Sequence, residues 1–155
     1  EKYGRFLARI YAPDYLNLEL VEKGYVSKFL VDNSELNKFA SAEENAVSSG
    51  LGIWAKSEYF DCIASKIYPE EEIITLSSKS NNVNISSWVL KDESTKHYSF
   101  QGVELGSIII HSGNGTDNKT DIFWNSKSNI WNNDRDSLYL FDNKGNIANY
   151  NSYGY

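Results

Sequence analysis

Residues 1–63 and 64–155 follow two different hydrophobic rhythms. In "NLELVEKGY", Leu20 and Val21 fall on one face, Asn17 stands where an N-cap is wanted, and Gly24 stands where a helix stops. In "SELNKFASAEENAVSSG", Leu36, Phe39, Ala40, Glu43, Ala46 and Val47 recur at three- and four-residue spacing. That spacing predicts an amphipathic helix begun by Ser34 and ended by Gly50. "RFLARIYA" and "YVSKFLV" read as strands, so the predicted order is strand, helix, strand, helix.

From residue 64 onward the rhythm shortens. "EEIITLSS", "SSWVLKD", "HYSFQG", "GSIIIHSG", "DSLYLFDN" and "IANYNSY" are β-branched or aromatic runs separated by Asn, Ser, Gly and Asp. "DNKG" predicts a hairpin turn in which Gly145 takes positive φ. In "SLYLF", alternation puts Leu138 and Leu140 on one face and Tyr139 and Phe141 on the other. The spacing of the runs predicts a β-sandwich with Trp88 and Trp131 in its core. "AKSEYFDCIASKIYPEEE" reads as the connection, with the linker proper at 64–69.

Composition narrows the function classes. No apolar run reaches membrane-spanning length, and no signal peptide is evident. The single cysteine, Cys62, excludes an internal disulfide and a cysteine-rich zinc site. Net charge is -6, shared equally at -3 by residues 1–63 and 64–155, which argues against a broad basic surface and leaves room for a local basic cleft. Met is absent, initiator included, which predicts a processed chain or a piece of a longer one.

Chemistry-bearing residues are sparse. His97 and His111 lie in different predicted strands with no cysteine cluster, which disfavours zinc. "WNNDRD" lacks the spacing of a calcium loop and reads as side chains capping backbone in a tight turn. Asp117 and Asp121 sit in the polar stretch "HSGNGTDNKTD", read as a turn. Asn84, Asn114 and Asn118 stand in Asn-x-Ser/Thr sequons. No nucleophile, base and orienting group line up.

The ordered series Tyr3-Gly4-Arg5, Leu7-Ala8, Asn17 with Leu20-Val21 and Gly24, Glu43, and Leu51-Gly52-Ile53-Trp54 resembles the C-terminal part of a thermonuclease (staphylococcal-nuclease-like) domain. The resemblance implies an incomplete OB-type barrel segment of α+β class over 1–63, from a family whose chemistry is calcium-dependent phosphodiester hydrolysis. It implies that Arg5 is a catalytic arginine, its guanidinium fork suited to phosphate oxygens. Nothing at matching positions supplies the calcium carboxylates, the general base or the other arginine. The 155-residue chain is therefore expected to be inactive alone, with nucleic acid the substrate of the intact parent. Exposed strand edges would recruit the missing N-terminal barrel segment or a second copy of the chain.

Residues 70–155 resemble the lamin tail domain family, an all-β immunoglobulin-like sandwich. The residues that carry this are Trp88, Leu90, Tyr98, Phe100, Trp131, Asn132, Asn133, Asp134 and Asp136. Ser87 and Arg135 stand where that family has glycine. The sandwich is expected to tether or recognise, its ligand unspecified, and the resemblances together imply an extracellular or cell-surface nuclease. The rival expectation is a non-enzymatic binding protein in which the nuclease-like part is only scaffold.

Overall fold

The computed structural model describes residues 6–79 and 82–155. The chain divides into two compact units, Glu1–Ala55 and Lys56–Tyr155.

The first unit is built on helices α1 (Leu16–Glu22) and α2 (Leu36–Ser49), followed by one 3-10 turn, Gly52–Trp54. Helix α1 buries Leu18 and Val21, three residues apart. Helix α2 buries Phe39, Ala42, Glu43 and Ala46, one stripe along the helix. Leu18, Val21, Val31, Phe39 and Ala42 share a small core against which Tyr15 and Leu36 pack. Both helices end as glycine predicts. Gly24 and Gly50 have φ of 68° and 64°. Gly24 N–H donates to Val21 O and Tyr25 N–H to Leu20 O, and the same pair of bonds recurs from Gly50 to Val47 and from Leu51 to Ala46. The two ends then dock. Ile53 N–H donates to Gly24 O at 2.8 Å, and a Cβ on Gly24 would lie 2.3 Å from Leu51 O. No side chain fits between them.

Among the described residues, the two strands expected in this unit do not form. Residues 6–12 and 25–31 carry no ladder, only an isolated bridge between Tyr11 and Tyr15. A strand needs a neighbouring backbone about 4.8 Å away, and these segments bond elsewhere. Ile10 N–H donates to the Asn17 side chain at 2.9 Å, the Asn17 amide donates to Ala8 O at 3.2 Å, and Leu16 N–H donates to Ile10 O. Asn17 is thus inside the helix rather than its N-cap, which is Tyr15. Ser34 is likewise not a cap: Asp32 holds its N–H and hydroxyl, and helix α2 starts from Glu35.

The second unit is a β-sandwich. Its strands are β1 (Ile63–Tyr68), β2 (Ile73–Ser78), β3 (Val83–Asn84), β4 (Val89–Lys91), β5 (His97–Ser99), β6 (Glu104–Leu105), β7 (Ser107–His111), β8 (Asp121–Phe123), β9 (Asp136–Phe141) and β10 (Ile147–Tyr153). They form sheets of order β1-β2-β7-β8 and β10-β9-β4-β5, with a small β3-β6 pair. Ile74, Leu76, Ile108, Ile110 and Ile122 from one sheet share a core with Leu90, Leu138, Leu140 and Ala148 from the other. Trp88 and Trp131 are both buried in it. One edge is stitched by amides: Asn149 Nδ2 donates to Ile63 O at 3.0 Å, and Asn151 Nδ2 donates to Ser65 O at 3.1 Å. Another part of the core rim is closed by rings, Tyr98 against Phe100 and Trp124, and Trp124 against Trp131.

The linker expected at 64–69 is instead strand β1 and its turn, paired with β2 from Ile63↔Ser78 to Tyr68↔Ile73. Alternation explains this, because Ile63 is buried in the core and Ile67 packs against it. The unit begins earlier still: Ser57 N–H donates to Ile147 O, and Tyr59 packs on Trp88 at 5.4 Å between ring centroids. Ser87 adopts φ of 66°, the left-handed conformation that glycine favours. Ser87→Gly is therefore expected to raise stability by about 0.5 kcal/mol, the relieved strain less the greater unfolded-chain entropy of glycine. Thermal unfolding of both proteins measures it, and a lower melting temperature for the variant contradicts it.

Candidate functional site

Arg5, the residue singled out for phosphate chemistry, lies outside the described residues. The residues that follow it are described, and they are unusual. Phe6 is 97% exposed and Leu7 71%. Ile10, Tyr11, Tyr25, Val26, Phe29, Leu30, Leu51 and Ile53 are exposed too, and the large exposed hydrophobic side chains among the described residues all belong to this unit. Apolar exposure on this scale marks a surface made to be covered.

Two ion pairs of this unit tie its segments together. Arg9 Nε donates to Glu35 Oε2 at 3.0 Å, and Tyr15 Oη donates to the same oxygen at 3.3 Å. The Glu35 carboxylate raises the Arg9 pKa, while burial first and Glu35 second raise that of Tyr15. Tyr15 also stacks on Tyr11, meets Phe39 edge-on, and has the Lys38 ammonium 5.7 Å from its ring centre. Arg9 is therefore paired with an acid of its own unit.

A second ion pair is buried. Lys28 and Glu43 are 3% and 1% exposed. Glu43 Oε1 accepts the Lys28 N–H at 2.8 Å, and Oε2 accepts the Lys28 ammonium. One helical carboxylate thus holds both the backbone and the side chain of the 25–31 segment. Sequence spacing placed Glu43 on the apolar stripe of its helix but did not name its partner, because Lys28 lies 15 residues away in a run read as strand. Removing one member of a buried pair leaves the other charge uncompensated. Glu43→Ala is expected to destabilise the first unit by about 3 kcal/mol. Faster hydrogen exchange at the amides of 25–31 and a lower melting temperature would register it; unchanged exchange would contradict the pairing.

In the second unit the acids serve the backbone. Asp136 is fully buried, and its oxygens accept N–H groups of Ser137 at 2.7 Å and of Asn132 at 3.0 Å. Burial raises its pKa while these bonds oppose the shift. This is the capping role expected for "WNNDRD". Asp142 does the same in the hairpin turn, accepting from Lys144 and Asn146, with Gly145 at φ of 82°. His97 and His111 sit in different sheets.

One juxtaposition was invisible in sequence: strands β7 and β8 run parallel, and His111 Nε2 meets Asp121 Oδ1 at 3.0 Å. The imidazole stacks on Phe123 at 4.6 Å, and Thr120 Oγ1 donates to the other Asp121 oxygen at 2.7 Å. The bond to His111 first, then that from Thr120, lowers the Asp121 pKa below its ordinary 3.8. A depressed carboxylate stabilises the fold at pH above its ordinary value, and the contribution is lost as pH falls through the folded pKa. Acid titration from about pH 5 to about pH 2 is expected to loosen the β8 edge below pH 3.8, and Asp121→Asn to flatten that step. Amide chemical shifts of residues 117–123 report it; an identical acid transition in the variant would contradict it.

Among the described residues, no three His, Cys, Asp or Glu side chains come together in a way that could hold a metal ion. They do not fit the calcium that the nuclease resemblance implies, and no chemical step is assigned through it. Among the described residues, too, no helix is long and apolar enough to cross a membrane.

Residues 1–56 match the family described as Staphylococcal nuclease homologue. The match takes in 56 of the 155 residues and ends at the junction of the two units. The first unit is therefore similar to a thermonuclease-like, nuclease-related family. No curated protein matches the chain.

Proposed function

We propose that the first unit is the C-terminal part of a nuclease domain that hydrolyses nucleic-acid phosphodiester bonds, and that the second is a lamin-tail-like sandwich that tethers it or recognises its target. The observation that carries this is the coincidence of the family match over residues 1–56 with the exposed apolar side chains of 6–11 and 25–30. A part of a barrel has such a surface where the remaining strands belong.

In this reading Arg5 is the phosphate-binding residue. Its planar fork donates two N–H bonds to phosphate oxygens and strengthens them as negative charge builds in the transition state. Asn17 and the Lys28–Glu43 pair are positioning residues. Asn17 holds the backbone of residues 8–10 just beyond Arg5 in sequence, and Glu43 holds the backbone of residue 28. The exposed apolar side chains receive the remaining barrel strands or, in their place, a second copy of the chain. The calcium carboxylates and the general base of the family would come with those strands, so the 155-residue chain alone is inactive. Support for the second unit as a lamin-tail-like module comes from its two packed sheets, its buried Trp88 and Trp131, and the left-handed Ser87 at the family's glycine position. An extracellular or cell-surface setting belongs to the same proposal.

The test is a plasmid-cleavage assay with calcium. The chain alone is expected to leave supercoiled DNA intact. Adding a polypeptide that carries the first three strands of a thermonuclease-like barrel is expected to produce cleavage. Arg5→Ala is expected to slow that cleavage by about a hundredfold. Cleavage by the chain alone would overturn the inactivity. Binding of the added strands without cleavage would favour the scaffold-only reading.

A further inference from the structure

The second unit carries a cleft of about 670 Å³ that none of the preceding chemistry uses. It lies between residues 101–107 and the polar segment 117–119, beside the short β3-β6 pair. Its size is within the range of small-molecule sites, about 300–1,000 Å³.

The lining excludes most ligand classes. Asn82, Gln101, Glu104, Ser107, Asp117, Asn118 and Lys119 supply three amides, two carboxylates, one hydroxyl and one ammonium. With two acids to one base, the cleft repels a polyanion, so a phosphate chain is disfavoured. Among the described residues no aromatic ring lines it, which removes the stacking platform that unpaired nucleobases use. Val103 and Ile122 offer a limited apolar floor, too little for a lipid chain or a row of apolar peptide side chains. What remains is a neutral ligand rich in both donors and acceptors.

Two of the polar groups are held in place. The Asn118 oxygen accepts the Thr120 N–H at 2.8 Å, the Thr120 hydroxyl at 3.1 Å and the Asp121 N–H at 2.9 Å. An amide whose oxygen is so occupied presents its two N–H donors on the opposite side. Asp117 accepts the Phe123 N–H at 2.8 Å and the Tyr98 hydroxyl, which fixes its carboxylate at the rim. Groups held in advance lose little freedom on binding, which is what a ligand recognised through hydroxyls requires.

We infer that this cleft binds a short neutral saccharide. The Asn118 amide donates to its hydroxyls, the Gln101 amide donates to and accepts from them, Glu104 accepts from them, and its C–H face rests on Val103 and Ile122. The inference is independent of the nuclease reading, since all its residues lie in the second unit.

The test is NMR titration of the full chain with cellohexaose, maltohexaose, xylohexaose, mannohexaose and chitohexaose, with a thymidine hexanucleotide as counter-probe. Saturable shifts of the Gln101, Ser107 and Lys119 amides with at least one glycan are expected. Gln101→Ala, an exposed site, is expected to weaken that glycan roughly fivefold while the melting temperature holds. Asn118→Ala tests the held amide, and its spectrum reports whether the 117–121 turn survives. The inference fails if no glycan shifts these amides, if the shifts lie elsewhere, or if the oligonucleotide binds here and the glycans do not.

Discussion

A backbone N–H or C=O withdrawn from water must find a partner, and the two units meet that constraint by different means. The second unit pairs backbone with backbone in two sheets and uses Asp136, Asp142, Asn149 and Asn151 where the ladders end. The first unit has no ladder among its described residues. It pairs its extended segments with side chains projecting from helices, Asn17 toward residues 8–10 and Glu43 toward residue 28. Backbone held by a helix on one side retains another side, and in this unit the accompanying side chains are apolar and exposed.

That difference shapes the functional reading. The sandwich satisfies its own edges through an amide seam between β1 and β10 and a cluster of rings around Trp124. The first unit has a packed core of only a few side chains, with its Arg9–Glu35 and Lys28–Glu43 pairs as cross-ties. Neither pair is arranged as a catalytic set; both hold segments in place. The proposed nuclease reading therefore rests on Arg5 and on what covers the apolar surface.

Much of this was legible in advance, and the legible parts share a cause. Gly24 and Gly50 were readable as helix stops because the left-handed turn is a local property of a residue without a Cβ. Leu138 and Leu140 were readable as core because alternation along one strand is dictated by backbone geometry. Trp88 and Trp131 were readable because large rings dominate small cores. The strands expected at 5–12 and 25–31 do not form among the described residues, for the converse reason. Their residues suit a strand, but a strand is a relation between two segments, and the groups opposite them are Asn17 and Glu43. Strand β1 was passed over because charge and proline around "ASKIYPEEE" obscured the inward Ile63 and Ile67.

The sequence by itself determined the helix stops, the inward faces of the longer strands, the turn at Asp142–Gly145 and the thermonuclease-like character of residues 1–56. Each of these is encoded within a few residues or in an ordered motif. Only the tertiary structure decided that Lys28 is paired with Glu43, that β7 and β8 run parallel with His111 against Asp121, and that loops 101–107 and 117–119 enclose a cleft. Those are contacts between segments far apart in the chain. Local preference cannot specify them, because each depends on where the whole core places both partners.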